Sequence, residues 1–172
     1  MIHIYTGDGK GKTTAALGLA LRAAGHGMTT EVLCFLKDGA SGEVCAGKHL
    51  PGVNVTCYQT QVQGFFWELD EPQKNNVKME TQKGFLYAMK CASQGLCHIL
   101  ILDELAGCLS NGILSEKDVL DFLRTYREKL EIVLTGRNFP LAIRSVADYI
   151  SEINAVKHPY EKGTGPRVGI EF

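Results

Sequence analysis

The chain has 172 residues, a formal net charge of −1, 45 % hydrophobic residues and 22 % charged residues. These values fit one soluble domain, which at this size can bury roughly 70 % of its unfolded surface. The near-neutral charge gives no electrostatic reason to expect nucleic acid or an acidic membrane as a partner, so any anion site must be local.

Membrane and metal-binding signatures are weak along the sequence. No apolar run approaches the roughly 18 residues that a membrane span needs, and the first strand pattern follows Met1 directly, without a signal peptide. We therefore expect a cytoplasmic protein. The six cysteines form no C-x-x-C pair and the five histidines are scattered, a pattern that favours reduced thiols over disulfides or a zinc site.

Short apolar runs alternate with longer helical patterns along the chain. In chain order the predicted elements are a strand at 2–6, a helix at Lys12–Ala24, strands at Glu31–Leu36 and Val53–Tyr58, a helix at Pro72–Ser93, a strand at His98–Asp103, a helix opened by a Ser115–Asp118 capping box, a strand at Glu131–Thr135, a short helix at Pro140–Val146 and a strand at Tyr149–Ile153. This alternation predicts an α/β fold of three layers, with a mainly parallel central sheet flanked by helices, in one domain over 1–172. The strand order stays open.

A glycine-rich segment lies between the first predicted strand and the first predicted helix. It runs Thr6-Gly7-Asp8-Gly9-Lys10-Gly11-Lys12-Thr13-Thr14. Glycines let backbone N–H groups approach phosphate oxygens, and the helix N-terminus adds unpaired donors and partial positive charge. Lys12 supplies a full charge, and the Thr13 hydroxyl is placed to ligate magnesium.

Strand, loop and helix in register favour a P-loop nucleotide-binding fold over a chance glycine-rich turn. The loop is a variant, because Thr6 stands where the general pattern has its first glycine. The predicted ATP-binding residues are Gly7, Asp8, Gly9, Lys10, Gly11, Lys12, Thr13, Thr14 and Arg137; for Arg137 the alternative is a surface ion pair.

An acidic pair, Asp103-Glu104, ends the most apolar predicted strand. Ligands of open α/β sheets bind at the carboxyl edge, where this strand ends. Taken alone, the pair would more often be two solvated acids that start a loop. Together with the phosphate loop, it predicts a magnesium site in which Thr13, Asp103 and Glu104 are the candidate ligands.

The segments from Gly7 to Ala16 and from Arg22 to Gly27 begin a series of motifs that covers nearly the whole chain. The others are Phe35-Leu36-Lys37, Gly42-Glu43, Gly64-Phe65-Phe66-Trp67-Glu68, Leu102-Asp103-Glu104-Leu105, Thr135-Gly136-Arg137, Ala147-Asp148, Ser151-Glu152, Val156-Lys157-His158 and Gly169-Ile170-Glu171-Phe172. In this order they resemble the P-loop family of ATP:corrinoid adenosyltransferases. The shortened loop and the C-terminal elements are more specific than any general phosphate loop.

The resemblance implies that the 5′-deoxyadenosyl group of ATP is transferred to the cobalt of a reduced corrinoid, cob(I)alamin, and that triphosphate is released. Cob(I) is itself a strong nucleophile, so no Ser–His or Cys–His pair is needed, and none is evident. Lys12, backbone donors and Mg²⁺ (or Mn²⁺) can stabilise the charge that builds on the triphosphate. Carried over by position, Thr13 and Glu104 hold the metal, and Asp103 supports the site.

The same resemblance implies a corrinoid contact at Phe65 and Trp67, which match an aromatic pair that covers the lower face of the corrin in the family. Core or loop packing is the competing explanation for these two side chains. The resemblance also implies a homodimer and, as a further partner, an electron-donating reductase or flavodoxin-like protein.

Two departures from the family pattern bear on the site. The segment that precedes the first strand in longer members is missing from this sequence, which leaves open how the corrinoid is enclosed. Asp8 stands where asparagine is common in the family, and an inward carboxylate would oppose ATP binding. We therefore expect Asp8 to face solvent.

Two other functions could use the same loop. A small-molecule kinase would also need an arginine-rich lid over the phosphates, whereas the arginines here are dispersed. A non-catalytic nucleotide-binding regulatory protein could keep the loop but would not need Phe65 and Trp67.

Overall fold

The computed structural model of the chain describes residues 1–37, 39, 41–47, 49–59, 64 and 66–170, with the side chains of 161 and 162 excepted. Phe65 therefore lies outside the described residues. Within these ranges, no helix combines the length and the apolar character that crossing a bilayer requires.

Strands and helices alternate along the described chain. The elements are β1 Ile2–Thr6, α1 Lys12–Ala24, β2 Thr30–Phe35, α2 Gly42–Gly47, β3 Val53–Tyr58, α3 Glu71–Gln94, β4 Ile99–Asp103, α4 Leu105–Ser110, α5 Glu116–Tyr126, β5 Glu131–Thr135, α6 Leu141–Ser145 and β6 Tyr149–Glu152, with short 3₁₀ turns at Phe66–Glu68 and Pro159–Lys162. The predicted elements are confirmed to within about one residue at most boundaries, whereas α2 and α4 were not predicted.

The described strands form one six-stranded sheet in the order β3-β2-β4-β5-β1-β6, and every neighbouring pair is parallel. The predicted three-layer α/β fold is confirmed, and the strand order is now known. Because the strands are parallel, all of them end at the same edge. β5 lies between β1 and β4 in this order, so the ends of these three strands meet.

Two apolar layers cover the sheet. On one face, Ala16, Ala20 and Ala23 of α1 pack with Val44 of α2 against the strands. The other face carries the larger core, to which α3, α4, α5 and α6 contribute. Every residue of β2 and β4 is buried, as expected for central parallel strands, whereas all four residues of the edge strand β6 are exposed.

The start of α3 is fixed by a complete capping box that the sequence analysis missed. The Asp70 carboxylate accepts a hydrogen bond from the Gln73 N–H at 2.8 Å, and the Gln73 side chain accepts one from the Asp70 N–H at 3.1 Å. At the predicted box of α5, the Ser115 hydroxyl accepts from the Asp118 N–H at 3.4 Å. Both caps satisfy backbone donors that a helix start leaves unpaired.

Candidate active site

The candidate site lies at the carboxyl edge, where β1, β4 and β5 end next to one another. The loop after β1 leads into α1 at Lys12, Asp103 is the last residue of β4, and Thr135 is the last residue of β5. The predicted loop and the predicted acidic pair are therefore brought together by the strand order.

The glycines of the loop make room for backbone as well as for a ligand. Gly7 and Gly11 have φ angles of 101° and 111°, a region that disfavours side chains. A Cβ at Gly7 or Gly9 would collide with the backbone of Ile153, and the Gly9 N–H donates to the Ile153 carbonyl at 2.8 Å. Part of the glycine pattern thus serves the close passage of the segment after β6, in addition to the phosphate approach that we predicted.

Lys12 lies over the loop with only 8 % of its surface exposed. Its ammonium donates to the Gly9 carbonyl at 2.8 Å. Burial lowers the pKa of Lys12, the nearby Arg137 charge lowers it further, and the Glu104 carboxylate opposes the shift. A buried cation held by one neutral acceptor is well placed to bind an incoming anion.

Asp103 is the centre of the hydrogen-bond network and is fully buried. Its Oδ1 accepts from the Thr13 hydroxyl at 2.9 Å and from the Thr135 hydroxyl at 2.6 Å. Its Oδ2 accepts from the Lys37 ammonium at 2.6 Å. A buried carboxylate is stable only with such partners, and Asp103 links the end of β4 to the start of α1, to the end of β5 and to the residue after Leu36 that follows β2.

Lys37 follows β2 and bridges two predicted metal ligands. Besides the Asp103 contact, its ammonium donates to the Thr13 hydroxyl oxygen at 2.8 Å. Burial alone would lower the pKa of Lys37, but the charge and hydrogen bond of Asp103, with a smaller effect of Glu104, raise it above its ordinary value. The Lys37 ammonium is therefore charged in this position.

Glu104 adopts a left-handed backbone conformation with φ of 60°. This conformation is uncommon for residues other than glycine and costs on the order of 1–3 kcal/mol. The Glu104 N–H donates to the Thr135 hydroxyl at 2.9 Å. Within the described residues no hydrogen bond or ion pair of the half-buried Glu104 carboxylate is found, so a ligand can use its oxygens.

The remaining predicted ATP-binding residues lie in the glycine-rich segment or contact it. Arg137 donates through Nη2 to the Asp8 carbonyl at 3.3 Å. Asp8 is exposed, as expected, and its carboxylate accepts from the Ala155 N–H at 3.2 Å. The Thr14 hydroxyl donates to Glu43 at 3.2 Å. Lys10 is exposed.

The donor set fits a hard divalent cation. Thr13, Asp103 and Glu104 offer hydroxyl and carboxylate oxygens, which Mg²⁺ and Mn²⁺ prefer. The Thr13 hydroxyl donates a hydrogen bond to Asp103 and accepts one from the Lys37 ammonium. The Lys37 ammonium already contacts the Thr13 and Asp103 oxygens, and this supports the binding of a metal cation at this place.

The predicted corrinoid pair is only half described. Phe65 lies outside the described residues. Trp67 lies in the turn Phe66–Glu68, and 66 % of its surface is exposed, whereas the neighbouring Phe66 packs against the larger core. Packing in the core therefore does not explain Trp67.

Sequence reasoning missed two residues of this site. Lys37 was noted only as part of a family motif, and Thr135 only as a strand end and part of another such motif. Both follow or end a strand that neighbours β4, so the rule that parallel strands end at one edge was the signal that could have found them.

Comparisons with known proteins point to one family. A family model described as ATP:corrinoid adenosyltransferase BtuR/CobO/CobP matches residues 1–172. The corrinoid adenosyltransferase of Pseudomonas aeruginosa is 33 % identical over 177 residues, which cover 100 % of this chain and 83 % of that protein. The corrinoid adenosyltransferase CobA of Salmonella typhimurium is 30 % identical over 173 residues, with 100 % and 85 % covered. The corrinoid adenosyltransferase of Escherichia coli K12 is 29 % identical, with the same coverage.

Proposed function

This chain belongs to the ATP:corrinoid adenosyltransferase family, and we propose that it transfers the 5′-deoxyadenosyl group of ATP to the cobalt of cob(I)alamin and releases triphosphate. The reaction would serve adenosylcobalamin biosynthesis or salvage. The observation that carries the proposal is the meeting of Lys12, Thr13 and Asp103 at the carboxyl edge of the sheet.

The chemical demand of this reaction falls on the leaving group. The cobalt electron pair forms the bond to C5′, the C5′–O bond breaks, and its electron pair stays on the triphosphate oxygen. Lys12 is the buried cation of the loop and can bind that oxygen more strongly as its charge grows. Backbone N–H groups at the start of α1 add donors of fixed direction.

A divalent cation bound with the triphosphate would neutralise part of its charge. Thr13 and Glu104 are the residues that we assign to this cation. Asp103 accepts a hydrogen bond from the Thr13 hydroxyl and so orients the lone pairs of that hydroxyl away from itself. Both carboxylate oxygens of Asp103 already accept hydrogen bonds from protein side chains, which favours an orienting role over direct ligation.

The proposal requires no protein nucleophile, and the described thiols agree with this. Cys34 lies next to Asp103 in the sheet register. A hydrogen bond with Cys57, burial and the Asp103 charge all raise the pKa of the Cys34 thiol. Burial also raises the pKa of Cys97, to about 12. Protonated thiols are weak nucleophiles and weak metal ligands.

The corrinoid contact is proposed for Trp67 and Phe65. An indole with two thirds of its surface exposed offers a flat apolar face to a corrin ring. Covering the lower face of cobalt keeps a water or a base from coordinating there, and this eases the reduction of Co(II) to Co(I).

The wider setting of the reaction is also part of the proposal. All described strands belong to one sheet, which supports a single domain. The family resemblance supports a homodimer in the cytoplasm that receives its electron from a reductase or a flavodoxin-like protein.

Product analysis tests the function directly. The protein is incubated with ATP, Mg²⁺ and chemically reduced cobalamin, and the products are separated after exposure to light or darkness. We expect triphosphate and a light-sensitive adenosylcobalamin in equal amounts. ADP would indicate a kinase, and the absence of turnover with bound ATP would indicate a regulatory protein. Arg137 donates to the Asp8 carbonyl of the loop, and the arginines are dispersed along the sequence, which disfavours a kinase lid.

A further inference from the structure

The Lys37 ammonium lies between the Thr13 hydroxyl, which we assign to the metal, and the Asp103 carboxylate, which orients that hydroxyl. It lies 2.8 Å from the Thr13 hydroxyl oxygen and 2.6 Å from Asp103 Oδ2. Both acceptors are fixed: Asp103 is fully buried, and Thr13 is bonded to its Oδ1. The Lys37 ammonium is therefore held between two oxygens whose positions are fixed.

A divalent cation on Thr13 would come very near to this ammonium. The Thr13 hydroxyl donates a hydrogen bond to Asp103 and accepts one from Lys37, so a metal on its remaining lone pair would lie close to the Lys37 ammonium. Two positive charges at such a distance repel strongly in a partly buried place. The two cations therefore compete for one position.

Lys37 can leave this position without unfolding the site. Its side chain is 29 % exposed, whereas Asp103 has no exposed surface. A lysine stem is flexible, and its ammonium can meet acceptors from many directions. An incoming triphosphate carries such acceptors to the same edge of the sheet.

We propose that Lys37 is a positioning residue whose ammonium lies beside the Thr13 and Asp103 oxygens in place of a metal cation and is displaced onto the polyphosphate when the divalent cation binds Thr13. This inference rests on the proposed metal and nucleotide function of the site. It adds that the metal and the Lys37 ammonium exclude each other next to the Thr13 oxygen.

Binding measurements on Lys37→Met test the exchange. Methionine keeps the length of the side chain and removes the charge. The affinity of the protein for Mn²⁺ is obtained from a titration without nucleotide, in which electron paramagnetic resonance reports the free Mn²⁺. The affinity for ATP is measured by calorimetry in the presence of a metal chelator. We expect Mn²⁺ alone to bind at least about fivefold more tightly, since its competitor is gone, and metal-free ATP to bind at least about fivefold more weakly, since a cation is lost. A residue that only supports the fold would weaken both.

Two further variants keep the test decisive. Lys117→Met removes one exposed lysine on α5, far along the chain from the loop, and should change neither affinity. Lys37→Arg keeps the charge and can hold Asp103 with two parallel hydrogen bonds. We therefore expect the Mn²⁺ affinity to fall by at least about threefold, while the binding of metal-free ATP persists. This variant decides the question if Lys37→Met fails to fold.

The outcomes separate this inference from the proposed function. Unchanged Mn²⁺ affinity in the folded Lys37 variants would overturn the exchange while leaving adenosyl transfer standing. If the wild-type protein bound neither Mn²⁺ with ATP nor ATP alone, the exchange and the proposed function would both fall.

Discussion

The amino edge and the carboxyl edge of the sheet treat their charges differently. At the amino edge, the Met1 ammonium donates to the carbonyls of Arg127 and Leu130 at 2.6 and 3.1 Å. Asp148 accepts from the Ile2 N–H at 2.7 Å and from Arg127 at 2.6 Å. Each of these charged groups ends on a partner within the chain, so this edge closes the sheet.

At the carboxyl edge, the charged groups are buried or half-buried, and some have few partners within the described chain. Lys12 bonds to one backbone carbonyl, Lys37 stands where a metal can bind, and the Glu104 carboxylate has no described hydrogen bond. The backbone of Glu104 is also in an unfavourable conformation there. The strained backbone of Glu104 and the charged groups with few partners lie at the carboxyl edge, whereas the Met1 and Asp148 charges at the amino edge are paired within the chain. We infer that the amino edge mainly stabilises the fold and that the carboxyl edge mainly binds ligands.

The strongest test of this division is Lys12→Ala. The variant removes the buried cation of the loop, and one charge-assisted hydrogen bond is worth about 1.5–3 kcal/mol. We expect turnover to fall at least about tenfold, with a melting temperature close to that of the wild type. Lys117→Ala, on the exposed face of α5, is the charge-matched control. Near-normal turnover in Lys12→Ala would remove the loop from the mechanism.

Glu104→Gln separates the metal from the fold. Glutamine keeps the size and polarity of the side chain but loses the negative charge that Mg²⁺ prefers. We expect the Mg²⁺ concentration for half-maximal activity to rise about tenfold or more, or activity to be lost, with little change in melting temperature.

Asp103→Asn is the matched comparison for Glu104→Gln. It should lower the melting temperature as well, because Asp103 is fully buried and holds three donors. An unchanged Mg²⁺ dependence in Glu104→Gln would show that Glu104 is not a ligand and would leave Asp103 as the better candidate.

Trp67→Ala tests the corrinoid side of the site, and its effect should depend on the assay. An axial donor hinders the reduction of Co(II) but matters little once Co(I) exists. We expect a large loss of activity when the assay starts from Co(II) with a mild reductant, a much smaller loss with chemically supplied Co(I), and almost unchanged ATP affinity.

A packing role for Trp67 predicts a different result. Removing a large aromatic side chain from a core costs about 3–5 kcal/mol and would depress both assays together. Because 66 % of the Trp67 surface is exposed, we expect no such loss of stability. Equal losses in both assays with a lowered melting temperature would contradict the corrinoid contact.

The sequence predicted the layers of the fold and the meeting of the loop with the acidic pair, because both depend on regular patterns. Apolar runs mark the buried strands β2 and β4, and a glycine-rich loop before a helix marks an anion site. Strand order could not be predicted, since any arrangement that ends the strands at one edge buries the same apolar runs. The short helices α2 and α4 were missed because five or six residues carry too little periodicity.

The finer structure of the site depends on contacts between distant parts of the chain. No local pattern indicates that Lys37 reaches Asp103 across 66 residues. The same holds for the passage of Ile153 over Gly7 and Gly9, which gives the loop glycines a second reason to be glycine. Pairings of this kind follow from the sheet order and not from spacing along the sequence.

The smallest expected effect belongs to Asp148→Asn at the amino edge. The Ile2 N–H hydrogen bond is the largest cause that lowers the pKa of Asp148, and the Arg127 charge adds to it. A carboxyl whose pKa is lower in the folded protein stabilises the fold above its unfolded pKa, about 3.9, and loses this contribution as the pH falls through the folded pKa.

We expect the variant to melt roughly 2–4 °C lower at neutral pH, which for a chain of this size corresponds to about 1 kcal/mol. The difference from the wild type should shrink as the pH falls below about 4, and turnover measured at a temperature where both proteins are folded should be unchanged. A difference in melting temperature that persists undiminished in acid would show that the Asp148 charge is not its source. A loss of turnover in the folded variant would show that the two edges of the sheet do not divide stability and function.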